Sequence, residues 1–375
     1  MQWDPSSILA PSHLISIWNR IGKFNPLDLD SAMWKEKEVL LNWVPVAWIV
    51  LTEDFPIFYS LMNRYPDSMA KGWSSHIEPA KKFLQSHNDL KQRVIKRLQE
   101  GPAETGEFEA YGSRKKSQDG WSAGNETIQL LFHLQMLGEV MVISRSSNQN
   151  VWGLTDYFLP EHVERTVLPQ EKLEEQTALR SLKATGVASE SDIYRYFVRG
   201  RYTDIKGTLT RLIENGKVVK VKIGDLPTAK PHYLLSEDKQ ELDSIMSGEW
   251  EPRLSLIPPF DNLITLRDRT KRIFGFDYIL EQFVPQEKRK FGTYVLPILW
   301  GTTLVGRIDA KFDRNLNTLS INSVYAEPGY GDDCDIGERL SERVEDLRSF
   351  LGADKILYGK IMPEKWRKFL SGSRP

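Results

Sequence analysis

A pattern of short helices followed by a strand, a turn and a second strand occurs twice in this chain, and it constrains the fold more than any other feature. The clearer copy spans residues 170–235. Over 172–184, Leu173, Thr177, Leu179 and Leu182 fall near helical spacing, and Gly186 ends the segment. Ser189 or Ser191 caps a second helix over 192–198. A third, over 203–214, turns Ile205, Leu209, Leu212 and Ile213 inward before Asn215-Gly216 stops it. Residues 217–223 then read as a strand, Gly224-Asp225-Leu226-Pro227 turns, and His232-Tyr233-Leu234-Leu235 returns. The earlier copy has a basic amphipathic helix over 90–99 that ends at Gly101-Pro102. A longer helix over 123–137 follows, with Ile128, Leu131, Leu134 and Leu137 inward. Gly138 stops that helix, Val140-Met141-Val142-Ile143 opens a strand, and Val151-Trp152-Gly153-Leu154 returns. Gly138 and Gly216 hold equivalent places, so the two segments read as one repeated unit. Helices closed by a two-stranded hairpin are the winged-helix arrangement, in which the third helix usually enters a DNA groove and the wing touches the backbone. Winged helices also serve as protein-interaction modules, so the pattern alone leaves both uses open.

Beyond Trp250 the character changes. Residues 294–300 and 304–311 read as strands joined by Gly301-Thr302-Thr303, and 318–324 as another after the turn at 315–317. An amphipathic helix over 336–351 closes the region. The expected class is therefore α+β: tandem winged-helix modules, the first incomplete at its N-terminus, then an α+β domain with a small curved sheet or partial barrel. Expected boundaries are 1–84 (first module plus connector), 85–168, 169–248 and 249–375. The most apolar stretch, 40–50, carries Asn42 and Pro45 and reads as a short buried segment, well under the roughly 18 apolar residues of a membrane span. Trp3, Trp18, Trp34, Trp43 and Trp48 read as core residues.

Net charge over the 375 residues is −1, and its distribution says more than its sum. Between positions 194 and 222, Arg195, Arg199, Arg201, Lys206, Arg211, Lys217, Lys220 and Lys222 face only Asp204 and Glu214. A second basic cluster comprises Arg267, Arg269, Lys271 and Arg272, then Lys288-Arg289-Lys290. Acid collects instead at Asp332, Asp333, Asp335 and along 338–346. A single cysteine, Cys334, excludes an internal disulfide and a Cys-based zinc site. The six histidines lack ligand spacing, so no metal and no other cofactor is expected. Met1-Gln2-Trp3-Asp4 does not begin a signal peptide, and a cytoplasmic location, nucleoid-associated when on DNA, is expected.

A long C-terminal run now becomes recognisable. It comprises Pro259-Phe260-Asp261-Asn262-Leu263-Ile264, Arg267-Asp268-Arg269-Thr270, Phe274-Gly275-Phe276-Asp277-Tyr278 and Lys288-Arg289. It continues through Tyr294-Val295-Leu296-Pro297-Ile298-Leu299 to the eight residues from Leu304 to Lys311. This run resembles the YcaQ/AlkZ family of winged-helix DNA glycosylases. Weaker echoes are Ser12-His13-Leu14, Trp18, Arg20-Ile21-Gly22, Glu53-Asp54-Phe55-Pro56, Gly120-Trp121-Ser122 and the five residues from Gly138 to Val142, so the resemblance covers nearly the whole chain.

The resemblance implies a monofunctional, cofactor-free hydrolase that removes N-alkylated purines, including interstrand-crosslinked ones, from double-stranded DNA. It implies a monomer with no obligate protein partner and no membrane. The family's catalytic signature is Gln, an apolar residue, then Gln or Asp, here Gln2-Trp3-Asp4. That casts Asp4 as base and electrostatic stabiliser, and Gln2 as the group that positions water. Phosphate contacts are expected from Arg20, Arg195, Arg199, Arg201, Arg267, Arg269, Lys288, Arg307 and Lys311. His13 either reaches a phosphate as well or is a satisfied histidine within a helix. Three departures bear on turnover more than on DNA binding. Family members carry several tens of residues before the motif, and without them Gln2 and Asp4 are expected on a chain end whose ordering nothing offsets. Pro45 stands where a histidine is usual, and Pro11 where an arginine is common. The alternative is a winged-helix DNA-binding protein that keeps the scaffold without catalysis.

Overall fold

A computed structural model describes residues 1–375 apart from 5, 7, 44–46, 113–124, 147–148, 225–229 and 371–375. The chain divides into two compact units, one formed by residues 1–26 with 221–375 and the other by 27–220. The first 26 residues thus belong with the C-terminal region, whereas the sequence groups them with residues 27–84.

The unit formed by 1–26 and 221–375 is built on an open five-stranded sheet. Its strands are β1 (Leu254–Leu256), β2 (Val295–Trp300), β3 (Thr303–Asp313), β4 (Thr318–Ala326) and β5 (Lys355–Ile361), lying in space in that order. Neighbours are antiparallel except β4 and β5, which are parallel. A parallel pair needs a crossover, and the Cys334–Leu351 helix supplies it. That helix buries Ile336, Leu340, Val344 and Leu347, spaced along one face. The sheet keeps two edges, so no barrel is closed.

The Ser12–Ile21 helix and the residues before it pack into the same core. Leu9, Ala10, Ile15 and Trp18 join Leu256, Leu296, Ile298, Val305, Leu340 and Val344 in one cluster of buried side chains. Backbone bonds fix this segment too: the Phe312 N–H donates to the Ile8 carbonyl at 2.9 Å. The Asn19 side chain donates to the Leu256 carbonyl at 2.6 Å and accepts the Leu256 N–H at 3.3 Å, closing the free edge of β1.

In the 27–220 unit the repeated pattern is present. Helices Asn88–Gln99 and Glu126–Met136 precede the wing, a sheet in which Gln149–Leu154 lies between Ala103–Glu104 and Val140–Ser146. Further along, Gln170–Thr185, Glu190–Arg195 and Ile205–Glu214 are the three expected helices, followed by the strand Val218–Val221. The return strand forms at His232–Leu235, among the residues grouped with the other unit; the turn at 225–227 lies outside the described residues, as does the expected helix start at 123. Gly138 and Gly216 adopt φ of 73° and 68°, conformations that a side chain disfavours, which is why glycine stands at both stops. The start of Ile205–Glu214 is held by Glu174, almost fully buried within Gln170–Thr185. Its carboxylate accepts N–H donations from Thr203 at 2.7 Å and Asp204 at 3.2 Å, and the Thr208 hydroxyl at 3.0 Å.

Residues 40–50 are not one buried segment but a hairpin, Val39–Trp43 against Ala47–Leu51, with Val39 opposite Leu51 and Trp43 opposite Ala47. Leu40, Leu41, Trp48, Ile49 and Val50 are buried from both strands, so two short strands merge into one apolar run in the sequence. Pro45 lies outside the described residues. Trp18 and Trp48 are core residues, while Trp3 and Trp34 are half-buried.

Docking of the Ser12–Ile21 helix carries a measurable consequence. Ile15 is fully buried and Ile21 is 67 % exposed. Ile15→Ala is expected to lower stability by about 2–5 kcal/mol in urea denaturation. Ile21→Ala should change it by no more than about 0.5 kcal/mol. Equal effects would mean that the helix is not docked on this core.

Candidate active site

Asp4 is 5 % exposed, and a carboxylate so far from water needs donors. Oδ1 accepts the Ser6 N–H at 3.0 Å, and Oδ2 accepts the Ser12 N–H at 3.3 Å and the Tyr294 hydroxyl at 3.3 Å. Ser12 is the first residue of the Ser12–Ile21 helix, so the carboxylate sits at the positive end of that helix. Pro11 directly precedes the helix, where a fixed φ and a missing N–H are tolerated. Tyr294 comes from the residue before β2 and is fully buried. Burial raises the Asp4 pKa above its ordinary 3.8, and the bonds from Ser6, Ser12 and Tyr294 pull against that rise. The Tyr294 hydroxyl is driven upward by burial and then by the facing carboxylate, so it stays protonated and donates.

His13 lies beneath this arrangement. Its Nδ1 accepts the Asp4 N–H at 3.4 Å, which assigns the ring proton to Nε2, and its ring stacks on Trp3 with centroids 4.3 Å apart. It is 2 % exposed, and burial lowers its pKa to about 4. Of the two roles open to it, the structure gives His13 that of a neutral histidine supporting the motif rather than a phosphate ligand. Gln2 and Trp3 are half-buried. The expectation that nothing orders this end of the chain is corrected: Asp4 is held by residues 2, 8 and 290 positions away.

The expected phosphate contacts divide into two sets. Arg269 and Arg307 are 3 % and 5 % exposed, and their guanidinium groups serve the protein. Arg269 donates to the Leu263 carbonyl at 3.2 Å. Arg307 donates to the Asp277 carbonyl at 3.0 Å, pairs with Glu327 at 3.1 Å and lies between the rings of Phe276 and Phe291. Arg267 stacks on Tyr278 and donates to the Ile264 and Pro259 carbonyls at 2.8 Å each. Arg201 donates to the Ser68 and Val198 carbonyls, and burial lowers its pKa to about 10. Arg20, half-exposed, forms a two-pronged pair with the buried Asp261 at 2.6 and 2.9 Å. Arg269, Arg307, Arg267 and Arg201 are committed internally, whereas Arg20 is exposed and held by the Asp261 carboxylate. Arg199 is half-buried, and its pKa is lowered by burial. Arg195, Lys288 and Lys311 are exposed.

Sequence reasoning missed Tyr294 and Ser12 as neighbours of Asp4. The available signal was chemical: a tyrosine opening a buried strand needs a partner for its hydroxyl. No cluster of His, Cys, Asp and Glu suited to a metal occurs among the described residues. Elsewhere in this unit, a cavity of about 640 Å³ is lined by Trp18, Trp300, Arg339 and Arg343. Its wall also carries Glu251, Asp335, Glu342 and Asp346 together with Arg253, and Asp4 does not line it.

Winged-helix modules together with an open five-stranded sheet define an α+β protein of a class that binds DNA or protein partners. A family model described as DNA glycosylase AlkZ-like matches residues 1–350, and the chain belongs to that family of DNA-repair glycosylases. The solved structure of the Streptomyces sahachiroi DNA glycosylase AlkZ is similar in fold, with a TM-score of 0.58 and 12 % sequence identity. The match covers 90 % of this chain and 84 % of that one.

The His13 pKa sets a pH dependence. A histidine depressed from 6.5 to about 4 adds stability that is fully present above pH 6.5 and is lost as pH falls toward 4. Between pH 7 and pH 5 wild type should therefore lose about 2 kcal/mol more than His13→Gln in urea denaturation. Parallel pH profiles would show that His13 is not held neutral.

Proposed function

We propose that the chain is a monofunctional DNA glycosylase that hydrolyses the N-glycosidic bond of N-alkylated purines in double-stranded DNA, interstrand-crosslinked bases included. It works in the cytoplasm as a monomer without a cofactor. Alkylation at a ring nitrogen makes the purine cationic, so the base departs neutral with the electrons of the glycosidic bond, and little acid catalysis is needed. The remaining demands are to stabilise an oxocarbenium-like sugar and to deliver water to C1′. Asp4 provides the negative charge beside the developing cation and accepts the proton of the attacking water. The Gln2 amide, which donates and accepts, orients that water. The products are the free base and an abasic sugar. One carboxylate does here what glycoside hydrolases divide between two.

The observation that carries this reading is the carboxylate of Asp4, buried, fixed by three donors and raised in pKa, within a motif that places Gln2 two residues away. A base with an elevated pKa accepts a proton more readily, and fixed donors spare it reorganisation during the reaction. Arg195, Lys288 and Lys311, all exposed, are the phosphate contacts of this reading, with half-buried Arg199 as a fourth, and they draw in duplex DNA without reading sequence.

The test is single-turnover release of free base from duplex DNA containing N7-methylguanine. Wild type releases base with a rate that rises with pH as Asp4 ionises, through a pKa above 3.8. Asp4→Asn is expected to slow release by roughly 100-fold or more. Tyr294→Phe, which removes one bond to the charged carboxylate, should slow it about tenfold. Equal rates for wild type and Asp4→Asn would remove Asp4 from the chemistry. Binding without release by wild type would leave a DNA-binding protein.

A further inference from the structure

The segment between the Arg267–Phe274 helix and β2 carries a feature that the chemistry above does not use. Ile279 is 65 % and Phe283 80 % exposed, four residues apart. Single exposed apolar residues are common on protein surfaces and by themselves mean little. What sets this pair apart is the loop beneath them, which is rigidly built. Between them Leu280 packs against the core and Glu281 is buried. The Glu281 carboxylate accepts the N–H groups of Lys290, Phe291 and Gly292 at 2.8–3.1 Å, closing the loop at its base. Arg289 spans the interior, donating to the Val284 carbonyl and the Thr293 hydroxyl at 2.9 Å each. Short backbone bonds from Val284 to Glu281 and from Lys288 to Pro285 tighten the tip. The loop then enters β2 through Thr293 and Tyr294, whose N–H groups donate to Asp309 at 3.1 and 3.0 Å. Tyr294 is the residue whose hydroxyl reaches Asp4, so the loop is anchored to the frame that holds the carboxylate.

Lys288 and Lys290 stand on the same loop, both exposed, and outnumber the one exposed acid there, Glu287. An apolar side chain on a fixed loop, flanked by cations, matches a duplex in both chemistries: stacked bases for the ring and phosphates for the lysines. Apolar wedges of this kind enter base steps and partly unstack them. We infer that Phe283 is such a wedge, entering the base stack of double-stranded DNA beside the nucleotide presented to Asp4, with Lys288 and Lys290 on the adjoining phosphates. The inference rests on the reading that this unit presents Asp4 to DNA, and a partly opened stack gives the glycosidic bond the access that hydrolysis requires.

The test uses a duplex with a tetrahydrofuran abasic analogue next to 2-aminopurine, whose emission rises when it is unstacked, and DNA binding followed by anisotropy. Saturating wild type is expected to raise 2-aminopurine emission several-fold. Phe283→Ala, measured at saturation, should lose most of that rise with an unchanged far-ultraviolet circular dichroism spectrum, and Phe283→Leu should restore part of it. Lys288→Gln should leave the emission at saturation intact and lower the slope of log affinity against log salt by about 0.9. An undiminished rise in Phe283→Ala, or saturation by wild type with no rise, or no binding to the duplex at all, overturns the wedge. Because the readout is unstacking and not base release, the two readings fail separately: a rise without base release in wild type would defeat the hydrolase alone.

Discussion

A carboxylate taken out of water must be surrounded by donors, and the donors around Asp4 organise the unit to which it belongs. One comes from Ser6, one from the first turn of the Ser12–Ile21 helix and one from Tyr294, 290 positions along the chain. The Tyr294 donor meets Asp4 because Leu9, Ile15 and Trp18 pack in the same core as the sheet. Burial raises the Asp4 pKa, so ionised Asp4 at neutral pH is held at some cost in stability. The apolar core offsets that cost. A carboxylate on a frayed end would be better solvated, so the packing of the first turns and the environment of the fourth residue are one problem.

The arginines around residues 257–278 answer a different need. That stretch contains little regular structure apart from the Arg267–Phe274 helix, and its carbonyls cannot all find partners within it. Arg267 and Arg269 supply donors to Pro259, Leu263 and Ile264, and Arg307 supplies one to Asp277 from β3. Rings of Phe276, Tyr278 and Phe291 cover the planar faces of these guanidinium groups. Arginine suits the task better than lysine because its fork of donors is rigid and its faces are weakly hydrated. A cluster of positive charge in the sequence is here largely an internal scaffold. Lys288 and Lys290, on their long stems, remain outside.

Much of the architecture was legible because its punctuation is local. Gly138 and Gly216 mark helix stops through a conformation that other residues avoid, and Ser189 caps Glu190–Arg195 through its own hydroxyl. The strands from Val295 and Thr303 read as apolar-rich runs joined by the turn at Gly301, and the Cys334–Leu351 helix follows the helical pattern. The site was legible only in part. Gln2 and Asp4 drew meaning from family resemblance, since a tripeptide has no periodicity to read. Their neighbour Tyr294 was hidden because its contact is set by tertiary packing. For the same reason residue type could not separate Arg269 from Lys288: both are basic, yet one lies among carbonyls and rings and the other in solvent. The division at residues 26 and 220 was equally hidden, because the sequence does not reveal that Leu9 and Ile15 belong to the core of a sheet more than 240 residues away.

A net charge of −1 sits uneasily with a family that handles DNA until the acids are located. Those of the Cys334–Leu351 helix are paired along its surface: Arg339 with Asp335 and Glu342, Arg343 with Asp346, and Arg348 with Glu345. Charges paired at three- and four-residue spacing on an exposed helix largely cancel at short range, and salt screens the remainder within about 8 Å at physiological ionic strength. A phosphate approaching Lys288 or Lys311 therefore meets the local field and not the sum over the chain. Such an arrangement lets a nearly neutral protein bind a polyanion by patches, with an affinity that falls steeply with salt, and avoids the indiscriminate attraction of a uniformly basic surface. For a DNA glycosylase, which must sample many undamaged bases, a moderate non-specific affinity shortens each unproductive encounter.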